Sequence, residues 1–384
     1  HSLRSKSAGK GTNRTQSEVS ALCEAIERYS GCRFGDEIRI RRSFEDFAPE
    51  DNAIHPNDVQ LFSENQLNYA ESINAEGHPY NKIPQRFDPC RAVDWTPVWS
   101  FSQKRHLYLP TSMLYGMTQE SRTSMDLIAD SNGCAAGNTL EEAILQGFYE
   151  LVERDAFAIW WYNSLQMPSI DLESFDDEFL NQAKQYYKQY DRELWVLNVT
   201  SDIAIPTFVA ISYQPNGQTE DIIYGAGAHI NPRLAVLRAV CELNQCLTWL
   251  PHPGKKDGLP AIDDPMALSW WKNTRLQDCP WLVPAPDHLA TVKPPPENML
   301  QTFKDLKEEV EYCQGLVEEK GLEFLVLDQT RPDIGLNVVR VIVPGMRHFW
   351  ARLAPGRLYE VPVSVGYRKI PLEESEINKV PVIA

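Results

Sequence analysis

The chain has 384 residues, of which 43% are apolar, 10% aromatic and 23% charged, which is ordinary globular usage and excludes a disordered chain, a collagen-like repeat or a disulfide mini-scaffold. Its 53 acidic residues against 37 basic ones give a net charge of −16, which repels a phosphate backbone and excludes nucleic acid as a general partner. No apolar run approaches the roughly 20 residues of a membrane helix, so no membrane partner is expected, and eight cysteines without CxxC or zinc-like spacing predict reduced, buried thiols in a cytoplasm.

In chain order, a Gly-rich turn, Ser7-Ala8-Gly9-Lys10-Gly11-Thr12, opens a helix over 16–30 with no strand before it. His1 is not an initiator Met, so the chain is expected to be truncated at its N-terminus. A second small-residue turn, Asn132 to Thr139, opens a helix over 140–160, followed by a helix over 176–191 and strands at Glu193–Val199 and Pro206–Tyr213. A strand at 221–229 runs into a third turn, Gly225-Ala226-Gly227-Ala228-His229. The helix over 232–250 that follows has Asn231 as N-cap and Pro232 at its first position. Residues 251–300 hold ten of the 27 prolines and read as a long loop or cover. A helix over 297–320 and strands at Glu323–Leu327 and Asn337–Val343 complete the pattern. Strands alternate with helices, so the fold class is mixed, α/β or α+β, with α+β expected, and no hinge is clear enough to divide the chain into separate domains.

The helices after the three turns carry polar stripes. At about 100° per residue, Glu142, Gln146, Glu150, Glu153 and Arg154 share one face, while Ile144, Leu145, Phe148, Leu151 and Val152 lie opposite. In the first helix Ser20, Glu24, Glu27 and Arg28 fall together, with Val19, Leu22, Cys23 and Ile26 opposite, and in the third Arg238, Glu242 and Gln245 align. A stripe facing water normally mixes Lys with Glu at i to i+4, and these contain no Lys. The third helix is apolar almost all round, so it is expected to be buried with its Arg238 and Glu242. Clustered carboxylates withheld from water call for a cation or proton. Oxygen ligands without Cys or His suit Mg²⁺, and with Gly-rich turns and Arg they suit a nucleotide triphosphate. The plainer reading, loops and solvated faces, remains open on these residues alone.

At these positions the chain resembles the YcaO family, and within it the ATP-dependent azoline-forming cyclodehydratases of ribosomal peptide natural products. The family pattern S-x3-E-x2-E-R is met by Ser20, Glu24, Glu27 and Arg28. The pattern S-x6-E-x3-Q-x3-E-x2-E-R is met by Glu142, Gln146, Glu150, Glu153 and Arg154, with Ala135 in place of its leading Ser, and R-x3-E is met by Arg238 and Glu242. The likeness extends over nearly the whole chain, including Asp130-Ser131-Asn132-Gly133, Glu153-Arg154-Asp155 and the Val343-Pro344-Gly345 turn.

The resemblance implies sheets and helices around a central nucleotide cleft, and ATP and Mg²⁺ as cofactors. It places Glu24, Glu27, Glu150 and Glu153 on the metal, and Lys10, Ser20, Asn138, Glu142, Gln146, Arg154, Arg238 and Glu242 on the nucleotide. It singles out no further catalytic residue. It also implies a reaction: Cys, Ser or Thr of a ribosomal precursor peptide attacks the preceding amide carbonyl, and the oxyanion formed attacks the γ-phosphate of ATP. Phosphate then leaves and an azoline ring remains. The expected partners are the precursor peptide and a leader-binding protein or an upstream domain; a homodimer is compatible with the reading. The chain ends Lys379 to Ala384 with a single proline, where many cyclodehydratases end Pro-x-Pro-x-Pro. Thioamide or amidine formation, and a non-catalytic nucleotide-binding scaffold, are the rival readings. Among other residues, His106 and His348 read as structural, His229 as either structural or a base, Trp160 to Tyr162 as core, and Asp328 with Arg331 as a turn ion pair.

Overall fold

The structure, a computed structural model, describes residues 7–48, 52–77, 81–116, 126–250, 264–286 and 301–383. Its elements run α1 (Arg14–Ser30), β1 (Ile40–Arg42), α2 (Pro56–Gln60), α3 (Glu64–Asn68), α4 (Ala70–Ala75), β2 (Val93–Ser100), β3 (Arg105–Pro110), α5 (Thr111–Leu114), β4 (Cys134–Gly137) and α6 (Leu140–Tyr162). There follow α7 (Glu178–Gln189), β5 (Glu193–Asn198), β6 (Thr207–Tyr213), β7 (Ile223–Ala228), α8 (Pro232–Leu247), α9 (Pro265–Asn273), α10 (Leu306–Glu318), β8 (Leu325–Asp328), β9 (Asn337–Ile342) and α11 (Arg357–Ser364). All strand pairs are antiparallel, so the class is α+β, as expected.

The chain divides into two compact units: one from His1–Leu22, Ala156–Thr302 and Val361–Ala384, the other from Cys23–Asp155 and Phe303–Glu360. The sequence shows no hinge because three of the four divisions fall inside α1, α6 and α11, where helical periodicity runs on unbroken, and only the one between Thr302 and Phe303 lies outside a helix.

In the second unit a sheet is ordered β1-β2-β8-β9-β4, with β3 on the other side of β2. Pro97 stands mid-strand in β2, which a continuous ladder would not tolerate. It falls between residues 93–95, paired with β1, and 99–100, paired with β8, so no ladder bond there needs its N–H. Val98, Leu107, Leu109, Leu325, Leu327 and Ile342 form one core cluster of this unit, and Trp95 with Phe87 and Met113 another. The turn expected at 132–139 is in part strand β4. Gly133 is required there, with φ +78° and a position where a Cβ would stand 2.1 Å from the Val341 carbonyl oxygen.

The first unit holds the sheet β5-β6-β7. The third expected turn is β7 itself, six consecutive buried residues. Its glycines serve helix packing rather than an anion: a Cβ on Gly225 would stand 2.3 Å from the Leu243 amide nitrogen of α8. The Gly-Ala alternation thus lets α8 lie directly on the sheet and fixes where Arg238 and Glu242 project. Asn231 caps α8 by accepting from the Arg233 N–H at 2.9 Å, with Pro232 in the first turn. Trp160, Trp161 and Tyr162 are buried core of this unit, with the Trp161 indole donating to the Val380 carbonyl at 2.8 Å.

Other boundaries shift for local reasons. Asp305 caps α10 and starts it later than the sequence suggests, and Asp177 caps α7. Of the proline-rich 251–300, residues 251–263 and 287–300 lie outside the described ones, and the part between carries α9, capped by Asp264. Of the eight cysteines, all free, Cys134, Cys241, Cys279 and Cys313 are buried, Cys90 is exposed and the others are half-buried, so the expectation of buried thiols holds for half of them.

Candidate functional site

The polar stripe of α6 does not face water. No residue from Glu141 to Tyr162 is exposed, and Glu142, Gln146, Glu150, Glu153 and Arg154 are all half-buried. In the middle of α1 the amphipathic pattern is inverted: Leu22 and Val19 are 66% and 52% exposed, while Ser20, Glu24 and Glu27 are half-buried, as are Cys23 and Ile26. A helix that turns leucine to solvent and glutamate inward has been oriented by something other than apolar burial.

In the second unit the carboxylates act on one another. Burial first, and then the neighbouring carboxylates of Glu150 and Glu24, hold Glu27 well above the ordinary glutamate range, with Arg28 and Arg154 pulling it part of the way back. The same field reaches Cys23, whose thiol is raised by burial and by Glu142 and Glu27. The stripes lack Lys, but the acids are not without cations. Arg28 Nε donates to Glu24 Oε1 at 2.9 Å and Arg154 Nη2 to Glu150 Oε1 at 2.7 Å, both across one helical turn. Pairs of this kind are worth about 0.3–0.5 kcal/mol, so a divalent ion outbids them readily. Arg154 also lies 4.3 Å over the Phe349 ring, and its buried Nε has no hydrogen-bond partner.

At the start of α6, Asn138 donates to Glu142 Oε2 through its backbone N–H at 2.8 Å and its side chain at 3.0 Å, while Thr139 Oγ1 accepts from the Glu142 N–H. Asn138 is exposed. This is helix-start chemistry, and it holds both expected nucleotide contacts in one place.

The first unit carries the other expected group. Lys10 Nζ is ion-paired with Glu242 Oε2, and the Lys10 backbone N–H donates to Ser20 Oγ at 3.4 Å. Arg238 Nη1 donates to the Ala228 carbonyl at 3.2 Å, and Glu242 Oε1 accepts from the Ala226 N–H at 3.3 Å on the open edge of β7. Arg238 and Glu242 are half-buried, not buried, because Leu234 and Arg233 on α8 reach solvent.

His229 accepts the Asn231 N–H at Nδ1 and is pushed down to about 3 by burial and by Arg238, which hold it neutral at the start of α8. His106 packs edge-on against Trp99, and His348 accepts the Trp350 N–H at 3.2 Å. Arg331 pairs with Asp36 at 3.0 Å instead of Asp328, because Asp328 is turned back onto the Thr330 N–H.

The all-oxygen donor set and its mutual electrostatics fit Mg²⁺: Glu24, Glu27, Glu142, Glu150 and Glu153 stand against two guanidiniums. Among the described residues no three His, Cys, Asp or Glu side chains are already gathered at metal-holding distance. The fit therefore rests on donor chemistry, with Glu24 and Glu150 turned onto their arginines.

Two features escaped the sequence reading. Asp155, fully buried one residue beyond the stripe, accepts the Arg347 N–H at 2.8 Å and Arg357 Nη2 at 2.5 Å, which fixes the rotation of α6. Its place in the Glu153-Arg154-Asp155 stretch is visible in the sequence, but its role is not, since its partners lie about two hundred residues away. Phe349 under Arg154 had no signal at all.

A family model for YcaO cyclodehydratases, described as ATP- and Mg²⁺-binding, matches residues 8–347. The chain belongs to the YcaO family. A heterocyclase solved in complex with substrate and cofactor is 44% identical, with a TM-score of 0.88 over 98% of this chain and 49% of its own. The heterocyclase TruD is 45% identical, with a TM-score of 0.85 over 96% of this chain and 50% of its own. YcaO from Methanopyrus kandleri, solved with AMPPCP and Mg²⁺, is 22% identical with a TM-score of 0.60 over 97% of this chain and 83% of its own, a likeness of fold. This YcaO chain thus spans about half the length of the two heterocyclases. Among the described residues no helix is long and apolar enough to cross a membrane.

Proposed function

We propose that this YcaO chain is the ATP- and Mg²⁺-dependent part of a cyclodehydratase that converts Cys, Ser or Thr of a ribosomal precursor peptide into azolines. The observation that carries the reading is the withholding of the α6 stripe from water beside a Glu27 that resists ionisation. Such an arrangement costs stability unless a cation completes it. The family's ATP and Mg²⁺ binding, and heterocyclases at 44% and 45% identity, support the same reading.

In this account Glu24, Glu27, Glu150 and Glu153 hold the metal, which supplies charge neutralisation at phosphate. Lys10, Ser20, Asn138, Glu142, Gln146, Arg154, Arg238 and Glu242 bind and orient the nucleotide. Arg154, with its unpartnered Nε and its ring support, is suited to a phosphate oxygen. The peptide loses one water per ring, its amide oxygen leaving as phosphate. Catalysis of this kind is positioning and charge neutralisation, for which no separate base on His229 is needed. The partners are the precursor peptide and a leader-binding protein or domain, and eight free cysteines agree with a reducing cytoplasm.

The test is mass spectrometry of a matched precursor incubated with the full protein, its partner and Mg²⁺-ATP. Loss of the mass of one water per modified residue is expected, with stoichiometric ATP hydrolysis. A different mass change assigns the chain to thioamide or amidine formation, and tight nucleotide binding without turnover to a scaffold.

A further inference from the structure

A cavity of about 470 Å³ opens in the second unit, and none of the metal or nucleotide assignments uses it. It is lined by the last residue of α1, the loop after it, strands β2, β3 and β8, the 329–332 turn and the first turns of α6. Three large apolar side chains that remain exposed, Ile38, Trp99 and Leu140, stand on its lining. A fourth, Phe34, lies 4.2 Å beneath the lining residue Arg331. Exposed apolar surface gathered at one opening marks a binding face rather than scattered surface residues.

Two polar features give the cavity a chemistry. Ser30 is 1% exposed, lines the wall, and its Oγ has no hydrogen-bond partner, which is costly unless a ligand supplies one. The charge on the lining is negative. Asp36 is matched by Arg331, and Glu37 by Arg33 and Arg39, whereas exposed Asp328 has no ion-pair partner among the described residues. The Tyr115 hydroxyl registers this field: burial raises it, and Glu37, Asp328 and Asp36 raise it further.

The location connects the cavity to the carboxylates. The link runs through α1, where the lining residue Ser30 follows Glu27 by three residues, while Leu140 and Ile144 line the cavity from the face of α6 opposite its polar stripe. We infer that this cavity receives the segment of the peptide substrate that carries the reacting residue, in the form of a neutral or basic peptide with an apolar side chain. Trp99 and Leu140 would cover the apolar group, Ser30 Oγ would meet a backbone amide, and Asp328 would favour a Lys or Arg. The inference rests on the reading of the chain as a peptide-modifying enzyme.

The test uses the full protein and two short acetylated, amidated peptides, one with Lys and one with Glu beside a single Cys. Binding is measured by calorimetry with and without Mg²⁺ and a non-hydrolysable ATP analogue. The Lys peptide is expected to bind more tightly than the Glu peptide. Asp328→Asn is expected to weaken the Lys peptide by about fivefold and to tighten the Glu peptide, so that the preference between the two is lost. Ser30→Ala is expected to weaken both by about threefold while leaving thermal stability unchanged or raised, since it removes an unpartnered buried hydroxyl. Nucleotide affinity stays the same in both variants. Unchanged affinity for both peptides in both variants, or equal affinity of wild type for the two peptides, overturns the inference. Failure of the wild type to bind the nucleotide analogue counts against the ATP reading instead, and the peptide titrations without nucleotide read the cavity regardless.

Discussion

Burial and the carboxylates of Glu150 and Glu24 act on Glu27 in the same direction, raising its proton affinity above that of the unfolded chain. The folded protein therefore holds more protons than the unfolded one between the two values. Glu27 costs nothing below the ordinary glutamate range, and stability falls as pH rises from there through the raised folded value. Mg²⁺ competes with that proton, so stabilisation by Mg²⁺ grows across the same window. Glu27→Gln removes both effects. Thermal melts from weakly acidic to weakly basic pH are expected to show a flatter profile for the variant than for wild type, and a Mg²⁺-dependent rise in Tm in wild type alone. Parallel profiles would show that Glu27 is an ordinary surface acid.

For α1, the inverted pattern makes a prediction that conventional amphipathicity would miss. Leu22 is mostly exposed, so Leu22→Ser is expected to change stability by less than about 0.5 kcal/mol. A core-facing leucine would cost about 2–5 kcal/mol on truncation, and a loss of that size in a denaturant titration would put α1 the other way up. For β7 and α8 the sign is opposite. The Gly225 Cβ position lies 2.3 Å from a backbone nitrogen that cannot rotate away, so Gly225→Ala is expected to cost about 1–3 kcal/mol. Since it displaces the helix that carries Arg238 and Glu242, it should also weaken binding of an ATP analogue. Retained stability and affinity would mean that α8 does not depend on this close approach. The helices were readable because their caps and stripes are local: Asn231 with Pro232 marks α8, and the α6 stripe stands out from its apolar run. The small-residue segments at 132–139 and 225–229 were not, because glycine and alanine suit a turn around an anion as well as a strand beneath a helix. Only the backbone distances separate the two.

Taken over the chain, the legible part of the site was its spacing. Ser20 to Arg28, Glu142 to Arg154 and Arg238 with Glu242 lie within single helices, where residue separation fixes angular position. What escaped was contact over long separations, such as Asp155 with Arg357 and Arg154 with Phe349, and the division into units inside continuous helices. The net charge of −16 bears on the central claim as well. A chain so acidic repels a bare triphosphate, and five stripe carboxylates compound that repulsion unless metal ions bridge the two. Calorimetric titration of a non-hydrolysable ATP analogue, with and without Mg²⁺, into wild type, Glu24→Gln and Glu150→Gln tests this most directly, with circular dichroism confirming the fold. Wild type is expected to bind only with Mg²⁺, and both variants to lose at least about tenfold in Mg²⁺-dependent affinity while remaining folded. Equal Mg²⁺-dependent affinity in all three proteins would contradict the assignment of these carboxylates to the metal.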